Sequence, residues 1–393
     1  MKTIATEAVI QYRKFGNMDW QVSALGFGLG RLPGEPAVMD EAQSVNIIRY
    51  AIDRGINYLD LGVADIPPEP EKRPAAGYII QAFKDGYRRH VMCALTLPSR
   101  QIRSLRDCDL MLGRTIEWLQ GEYIDFLIFG DLNHETWPDM ENLGILPWAE
   151  KLIEKGQIGH LGFSFHDDFQ SLRTIINAYD KWTLCQLRYS FMDVDHHPGS
   201  GGIQLAADHG LAVVASQPLL TGRLVKNIPE SVIPAWRNAG GAAMAQEWAL
   251  RWVWNHPQVS TLIVNMKYMT QLMEAEMTAD RYSAQSLSVQ EEVNISQVRE
   301  AYLKLRPVSC TGCRSCMPCH LNIDVPRIFE LWNEALMFGD PAIPRVLYRQ
   351  EQHRIESCNA CGTCTEKCGM GIKIPGQLRE ARRILDPDTK ISL

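Results

Sequence analysis

The chain has 393 residues, 46% hydrophobic and 22% charged, with 40 Lys+Arg against 46 Asp+Glu and a net charge of −6. That length and composition predict a globular protein of two or three domains and exclude disorder as the main state. The acidic balance argues against nucleic acid as the main partner, which needs a basic footprint, and no run of about 18 apolar residues predicts a membrane span.

The opening MKTIATEAVIQYRK lacks the apolar core of a secretory signal, so the expected location is the cytoplasm. VSALGFGLG then reads as a first strand ending in glycines. Asp40 can cap a helix running to about Arg54, with Val45, Ile48 and Ile52 on its apolar face. INYLDLG is a second strand, and HVMCALTLP a third, after a helix ending near Lys84. YIDFLIFGDLN, IGHLGFSFH, TLCQLRYSF, LAVVASQPLL and VSTLIVNM follow as the fourth to the eighth. Cys93 and Cys185 fall inside strands and read as buried small hydrophobes.

Eight β/α units in about 280 residues predict a (β/α)8 TIM barrel over residues 1–290. A doubly wound sheet is the alternative, but Gly26, Gly28 and Gly30 have the wrong spacing for a dinucleotide fingerprint. In such a barrel chemistry sits at the C-terminal strand ends. The candidates there are Asp60, Asp65, Thr96, Gly130, Asp131, His134, Ser164, His166, Gln186, Tyr189, Asn265 and Lys267. Asp60 is open to two readings, a strand-end hydrogen-bonding group or a catalytic one. Asp131 and His134 form either a replacement acid/base pair or a solvated loop. His196 and His197, in the glycine-rich DVDHHPGSGG, show no further ligands that would make a metal site.

The remaining eight of the 11 cysteines form two runs. Cys310, Cys313, Cys316 and Cys319 are spaced C-x2-C-x2-C-x2-C; Cys358, Cys361, Cys364 and Cys368 are spaced C-x2-C-x2-C-x3-C. Three thiolates so spaced suit three irons of a cubane, and in two-cluster ferredoxins the fourth comes from the other run. The pattern therefore predicts two [4Fe–4S] clusters, one on Cys310, Cys313, Cys316 and Cys368, the other on Cys358, Cys361, Cys364 and Cys319. A zinc ribbon needs only two pairs, and structural disulfides do not suit a cytoplasmic chain. Many such runs end Cys-Pro, whereas His320 follows Cys319 and Gly369 follows Cys368. His320 either tunes a cluster or is solvated. Ile328, Leu331, Trp332 and Ala335 mark a helix between the runs, a second begins near Val346, and a third runs from about Gln377 to Leu385. Residues 291–393 thus read as a small helical module, which resembles the α-helical ferredoxin domain attached to several redox enzymes.

YRKFGNMDWQVSALGFGLGRLP, GINYLD, YIDFLIFGDLN, Gly162–His166 and QPLLTGRL at Gln217–Leu224 resemble the aldo-keto reductases, and CTGCRSCMPC resembles the tail of the branch with a C-terminal ferredoxin domain. The resemblance implies carbonyl reduction by NAD(P)H with a catalytic Asp, Tyr, Lys and His. Residue by residue, the Asp matches Asp60, while the Tyr position is Asp65, the Lys position Thr96 and the His position Gly130. It also implies Ser164 and Gln186 as holders of a nicotinamide carboxamide, Tyr189 near the stacking position, and a pyrophosphate loop containing Pro218, Leu219, Gly222 and Leu224. After the eighth strand, Lys267 is the cation nearest to where the family binds the 2′-phosphate, and Glu274 is retained. Without a basic pair there, NAD fits as readily as NADP.

Together these readings point to an iron–sulfur oxidoreductase or redox subunit whose clusters pass electrons to or from a site at the barrel mouth, lined by Asp60, Asp65, Thr96, Asp131, His134 and His166. A ferredoxin or other redox protein is the expected partner. One alternative is an NAD(P)H-dependent carbonyl reductase with a substituted general acid. The other is a non-catalytic electron-transfer protein whose barrel is a docking scaffold. Clusters move single electrons and a nicotinamide moves two; whether a flavin bridges them is not written in the sequence.

Overall fold

The computed structural model describes residues 10–30, 41–64, 75–119, 123–195, 198–241 and 244–387. The site candidate Asp65, and His196 with His197, lie outside these residues. The chain divides into two compact units. One is formed chiefly by the chain up to Leu219 with Glu247–Leu287, the other by Leu220–Gln246 with Ser288 onward.

The first unit opens with a hairpin of β1 (Tyr12–Lys14) and β2 (Gln21–Ser23). Eight strands then follow: β3 (Leu25–Gly28), β4 (Tyr58–Val63), β5 (Met92–Pro98), β6 (Ile124–Leu132), β7 (Ile158–Phe165), β8 (Leu184–Arg188), β9 (Ala212–Ser216) and β10 (Val259–Asn265). They close in the order β10-β3-β4-β5-β6-β7-β8-β9, each pair parallel. Strands such as β6, IDFLIFGDL, are apolar on both faces because one side fills the barrel and the other receives helices.

The hairpin is a departure from the predicted single strand VSALGFGLG. Ser23 turns its hydroxyl onto the Leu25 carbonyl at 2.7 Å. The segment therefore breaks at Ala24, and only Leu25 onward enters the barrel. Phe15, between the hairpin strands, packs its ring 5.1 Å from Phe126 and 6.0 Å from Tyr58, plugging the interior.

Helices α1 (Glu41–Asp53), α2 (Ala75–Phe83), α3 (Leu105–Trp118), α4 (Thr136–Asn142), α5 (Ile145–Glu154), α6 (Phe169–Ala178) and α7 (Gly199–Asp208) alternate with the strands. The predicted first helix appears as α1, burying Ile47, Ile48, Ala51 and Ile52. After α8 (Ile233–Asn238) of the second unit, α9 (Ala245–Trp254) and α10 (Met269–Arg281) complete the ring around the barrel.

The second unit continues with α11 (Val289–Leu303), α12 (Val325–Met337), α13 (Ala342–Gln350), α14 (Thr363–Glu366) and α15 (Ile374–Leu385). Its core gathers Ile328, Phe329, Leu331 and Trp332 of α12 with Leu378, Ala381 and Leu385 of α15. The last helix starts three residues before the predicted Gln377, because Pro375 occupies its first turn, where a missing N–H costs nothing. Arg223, in the segment before α8, is pinned to this core. Its guanidinium meets Glu334 at 2.9 Å, both side chains being 5–6% exposed, and lies 5.1 Å from the Phe338 ring centroid. Leaving either charge alone in such a setting costs about 3–5 kcal/mol. Among the described residues no helix is long and apolar enough to cross a membrane.

Candidate functional site

At the barrel mouth, the half-buried Asp60 ends the inward-facing part of β4. The Gly62 N–H donates to its Oδ1 at 2.8 Å, and the Gln186 side chain bonds to it from β8. Burial outweighs both bonds and raises the Asp60 carboxyl to about 6. Gln186 Oε1 is buried with no partner among the described residues.

The sign of the resulting pH dependence follows from which state holds the proton. The folded chain binds it between the ordinary carboxylate range and pH 6, so stability is lost as pH rises through that window. Asp60→Asn keeps an oxygen for Gly62 and removes the buried charge. We expect thermal and denaturant unfolding to show the variant more stable than wild type by about 3 kcal/mol at pH 8 and by about half that at pH 5.

Asp131 and His134 take different partners. Asp131 sits at φ 56°, and its N–H donates to Ser164 Oγ at 2.8 Å. Its carboxylate accepts from Arg100 Nε at 2.6 Å, and the same guanidinium reaches Glu135 at 3.4 Å. His134 turns to Asp167 instead: one carboxylate oxygen accepts the His134 backbone N–H at 2.9 Å and faces its Nδ1 at 2.5 Å. The loop is held for this by Asn133, whose side-chain oxygen accepts the N–H groups of Glu135 and Thr136 at 2.8 and 2.9 Å. Thr136 in turn donates its hydroxyl to the Asp131 carbonyl at 2.8 Å. Burial works to raise the Asp167 carboxyl, but bonds from the His134 ring and backbone, with that of Asp168, hold it down to about 2. The Asp167 side chain is 8% exposed and that of His134 37%, so the carboxylate is sequestered and the imidazole faces the opening.

Asp167 and Arg100 were missed in the sequence. Asp167 follows His166 in SFHDD, and its partner lies 33 residues away. His166 itself is half-buried just beyond β7.

The family's Lys and His positions are closed. A Cβ on Gly130 would stand 2.6 Å from Thr96 Cγ2 and 3.0 Å from the Leu97 carbonyl oxygen. Of the expected nicotinamide set, Ser164 and Gln186 face each other across β7 and β8. Ser164 and Gln186 are engaged as above. Tyr189 corrects the expectation of a stacking ring: it is 1% exposed, packed against Trp252 and His256, with its hydroxyl 2.9 Å from Ser200. Pro218 is buried and Leu219 half-buried, while Gly222 and Leu224 belong to the second unit. Lys267 and Glu274 are exposed, and the Asn265 side chain donates to the Gly30 carbonyl at 3.1 Å.

In the second unit Cys310, Cys313, Cys316 and Cys368 line one hollow with Phe329 and Ile374. Among the described residues no three His, Cys, Asp or Glu side chains converge tightly enough to grip a single ion. Thiols spread around a hollow suit a cluster whose irons each take one ligand. Cys358 and Cys361 are neighbours of Cys364. The exposed His320, after Cys319, has its Nε2 3.4 Å from the Asn359 amide, after Cys358. The end of the first run thus meets the start of the second.

The two runs share one backbone plan. Gly312 and Ala360 (φ 69° and 57°) precede the second cysteine, and Arg314 and Gly362 (φ 56° and 84°) follow it. Asn322 and Gly371 (φ 54° and 66°) each lie three residues after the last. The Cys313 thiol is held below its ordinary range by hydrogen bonds from the Ser315 hydroxyl and backbone, and that of Cys361 by the backbone and hydroxyl of Thr363. Burial raises those of Cys310 and Cys364, and pushes Cys316 up to about 11.

Comparison with known proteins agrees with this architecture. The sequence profile of the aldo/keto reductase family matches residues 24–288, and that of the 4Fe-4S dicluster domain matches residues 309–373. A probable aldo-keto reductase 1 from Glycine max is 27% identical over 244 residues, 57% of this chain. The chain spans 65% of that relative's length. The crystal structure of an aldo-keto reductase from Klebsiella pneumoniae in complex with NADPH superposes with a TM-score of 0.56 at 20% identity, covering 74% of this chain and 95% of that one. The holo form of an aldo-keto reductase from Bacillus halodurans gives the same TM-score and identity over 74% and 96%. An aldo/keto reductase-type barrel and a 4Fe-4S dicluster domain thus stand in one chain. With the closed eight-stranded barrel and a match over residues 24–288, the chain belongs to the aldo/keto reductase family.

Proposed function

We propose that this protein is an iron–sulfur oxidoreductase that couples single electrons to proton transfer at the barrel mouth. Two [4Fe–4S] clusters, ligated crosswise as the spacing predicts, supply the one-electron steps. The observation that carries the reading is the His134–Asp167 pair. Asp167 holds the ring by Nδ1, and Nε2 lies 3.8 Å from the Glu135 carboxylate, so the ring is set between two carboxylates to take up and pass on a proton. The family's Lys and His positions offer no such group, since Thr96 and Gly130 are packed against each other. The electron donor or acceptor is a ferredoxin or a similar redox protein, and the protein works in the cytoplasm.

One observation favours a second reading, nicotinamide-dependent carbonyl reduction with a substituted acid: Asp60, raised to about 6, keeps part of its proton near neutrality. The first reading is preferred because Ser164 accepts the Asp131 N–H and the Tyr189 ring is packed against Trp252 and His256.

An anaerobic experiment separates the two. The protein is mixed with reduced ferredoxin, with NADH and with NADPH, and the visible absorbance and EPR signal of the clusters are followed. Bleaching by ferredoxin and not by either nucleotide is expected. Bleaching by a nucleotide alone overturns the first reading in favour of the second.

A further inference from the structure

Of the eight cluster cysteines, Cys313 and Cys361 are the two that are exposed. They are also equivalent, each being the second cysteine of its run. Two residues on, Ser315 Oγ lies 3.3 Å from Cys313 Sγ, and Thr363 Oγ1 lies 3.6 Å from Cys361 Sγ. The backbone N–H of the same residue points at the same sulfur in both runs.

The loops otherwise diverge. Between their first three cysteines they read Thr-Gly and Arg-Ser in one, Asn-Ala and Gly-Thr in the other. The one position that keeps a hydroxyl is the one beside the exposed sulfur. A thiolate bound to iron carries no proton and can only accept, so the hydroxyl must donate. A hydrogen bond to a ligand sulfur favours the reduced, more negative form of the cluster.

We infer that Ser315 and Thr363 are a matched pair of positioning residues, each raising the reduction potential of the cluster that its neighbouring cysteine ligates. Each cluster takes up one electron, and no bond to the cysteine is made or broken. The shorter contact makes Ser315 the stronger of the two. The inference rests on the two-cluster reading.

The test is a potentiometric titration of the full-length protein followed by EPR, on Ser315→Ala and Thr363→Val. Each variant is expected to lower the midpoint of one cluster and leave the other in place. At a fixed potential near the midpoint, the ratio of reduced to oxidised cluster should fall roughly fivefold, the worth of one hydrogen bond. The shift should be larger for Ser315→Ala. The conservative Ser315→Thr and Thr363→Ser should keep the wild-type potentials, which a merely structural role would not require. Unmoved midpoints in fully loaded Ala and Val variants overturn the inference. So does an iron content below wild type, which would mean that the hydroxyls hold the cluster rather than tune it. A wild-type protein with only one cluster defeats the two-cluster reading on its own and is read from the same iron analysis.

Discussion

In a protein that already carries Cys310→Ala, adding Cys368→Ala should remove no further iron. Crosswise ligation makes these two cysteines members of one site, although 57 residues separate them, and the hollow shared by Cys310, Cys313, Cys316 and Cys368 is the structural ground for it. Wild type should bind about eight irons per chain, either single variant about four, and the double variant still about four. Pairing Cys310→Ala with Cys358→Ala should instead leave almost none. If each run held its own cluster, Cys368 would belong with Cys358, and the Cys310→Ala/Cys368→Ala protein would be empty. Iron and acid-labile sulfide analysis on anaerobically purified protein decides between the patterns. The same variants should melt early, since cluster binding is coupled to folding and α12 and α15 pack around these cysteines.

His134→Ala should reduce turnover about 10²–10⁴-fold, the range of a lost general acid or base. Asp167→Asn should come close to it. An amide beside Nδ1 no longer favours the imidazolium and can hold the ring in the wrong tautomer. Both variants should keep wild-type iron content and reduce with dithionite at the wild-type rate, because both residues belong to the first unit and the cluster cysteines to the second. The pH profile carries the mechanistic content. The limb assigned to His134 should vanish in His134→Ala and move in Asp167→Asn. Turnover that survives His134→Ala would remove the imidazole from the mechanism and turn attention to Asp60.

The barrel was legible because each strand is a short apolar run between helices of amphipathic period, and periodicity is local information. The hairpin of β1 and β2 was not, since strands of three residues are too short to show a period. Cluster ligands were legible for a similar reason: a C-x2-C turn brings its own thiolates together. The mouth was harder. Asp131 and His134 were candidates, but their partners Arg100 and Asp167 come from other β/α units and are set by the register of the barrel. Tyr189 was misplaced by resemblance, because alignment fixes its strand but not what its ring packs against.

The packing of Thr96 against Gly130 also limits what substitution can do at the mouth. A histidine at position 130 would drive its Cβ into the Thr96 methyl and the Leu97 carbonyl. Thr96 would have to change as well, and the backbone at Leu97 would have to shift. The two positions are therefore coupled: changes at 96 and 130 should depart from additivity, and an imidazole cannot be grafted onto this strand end without first making room across the neighbouring one.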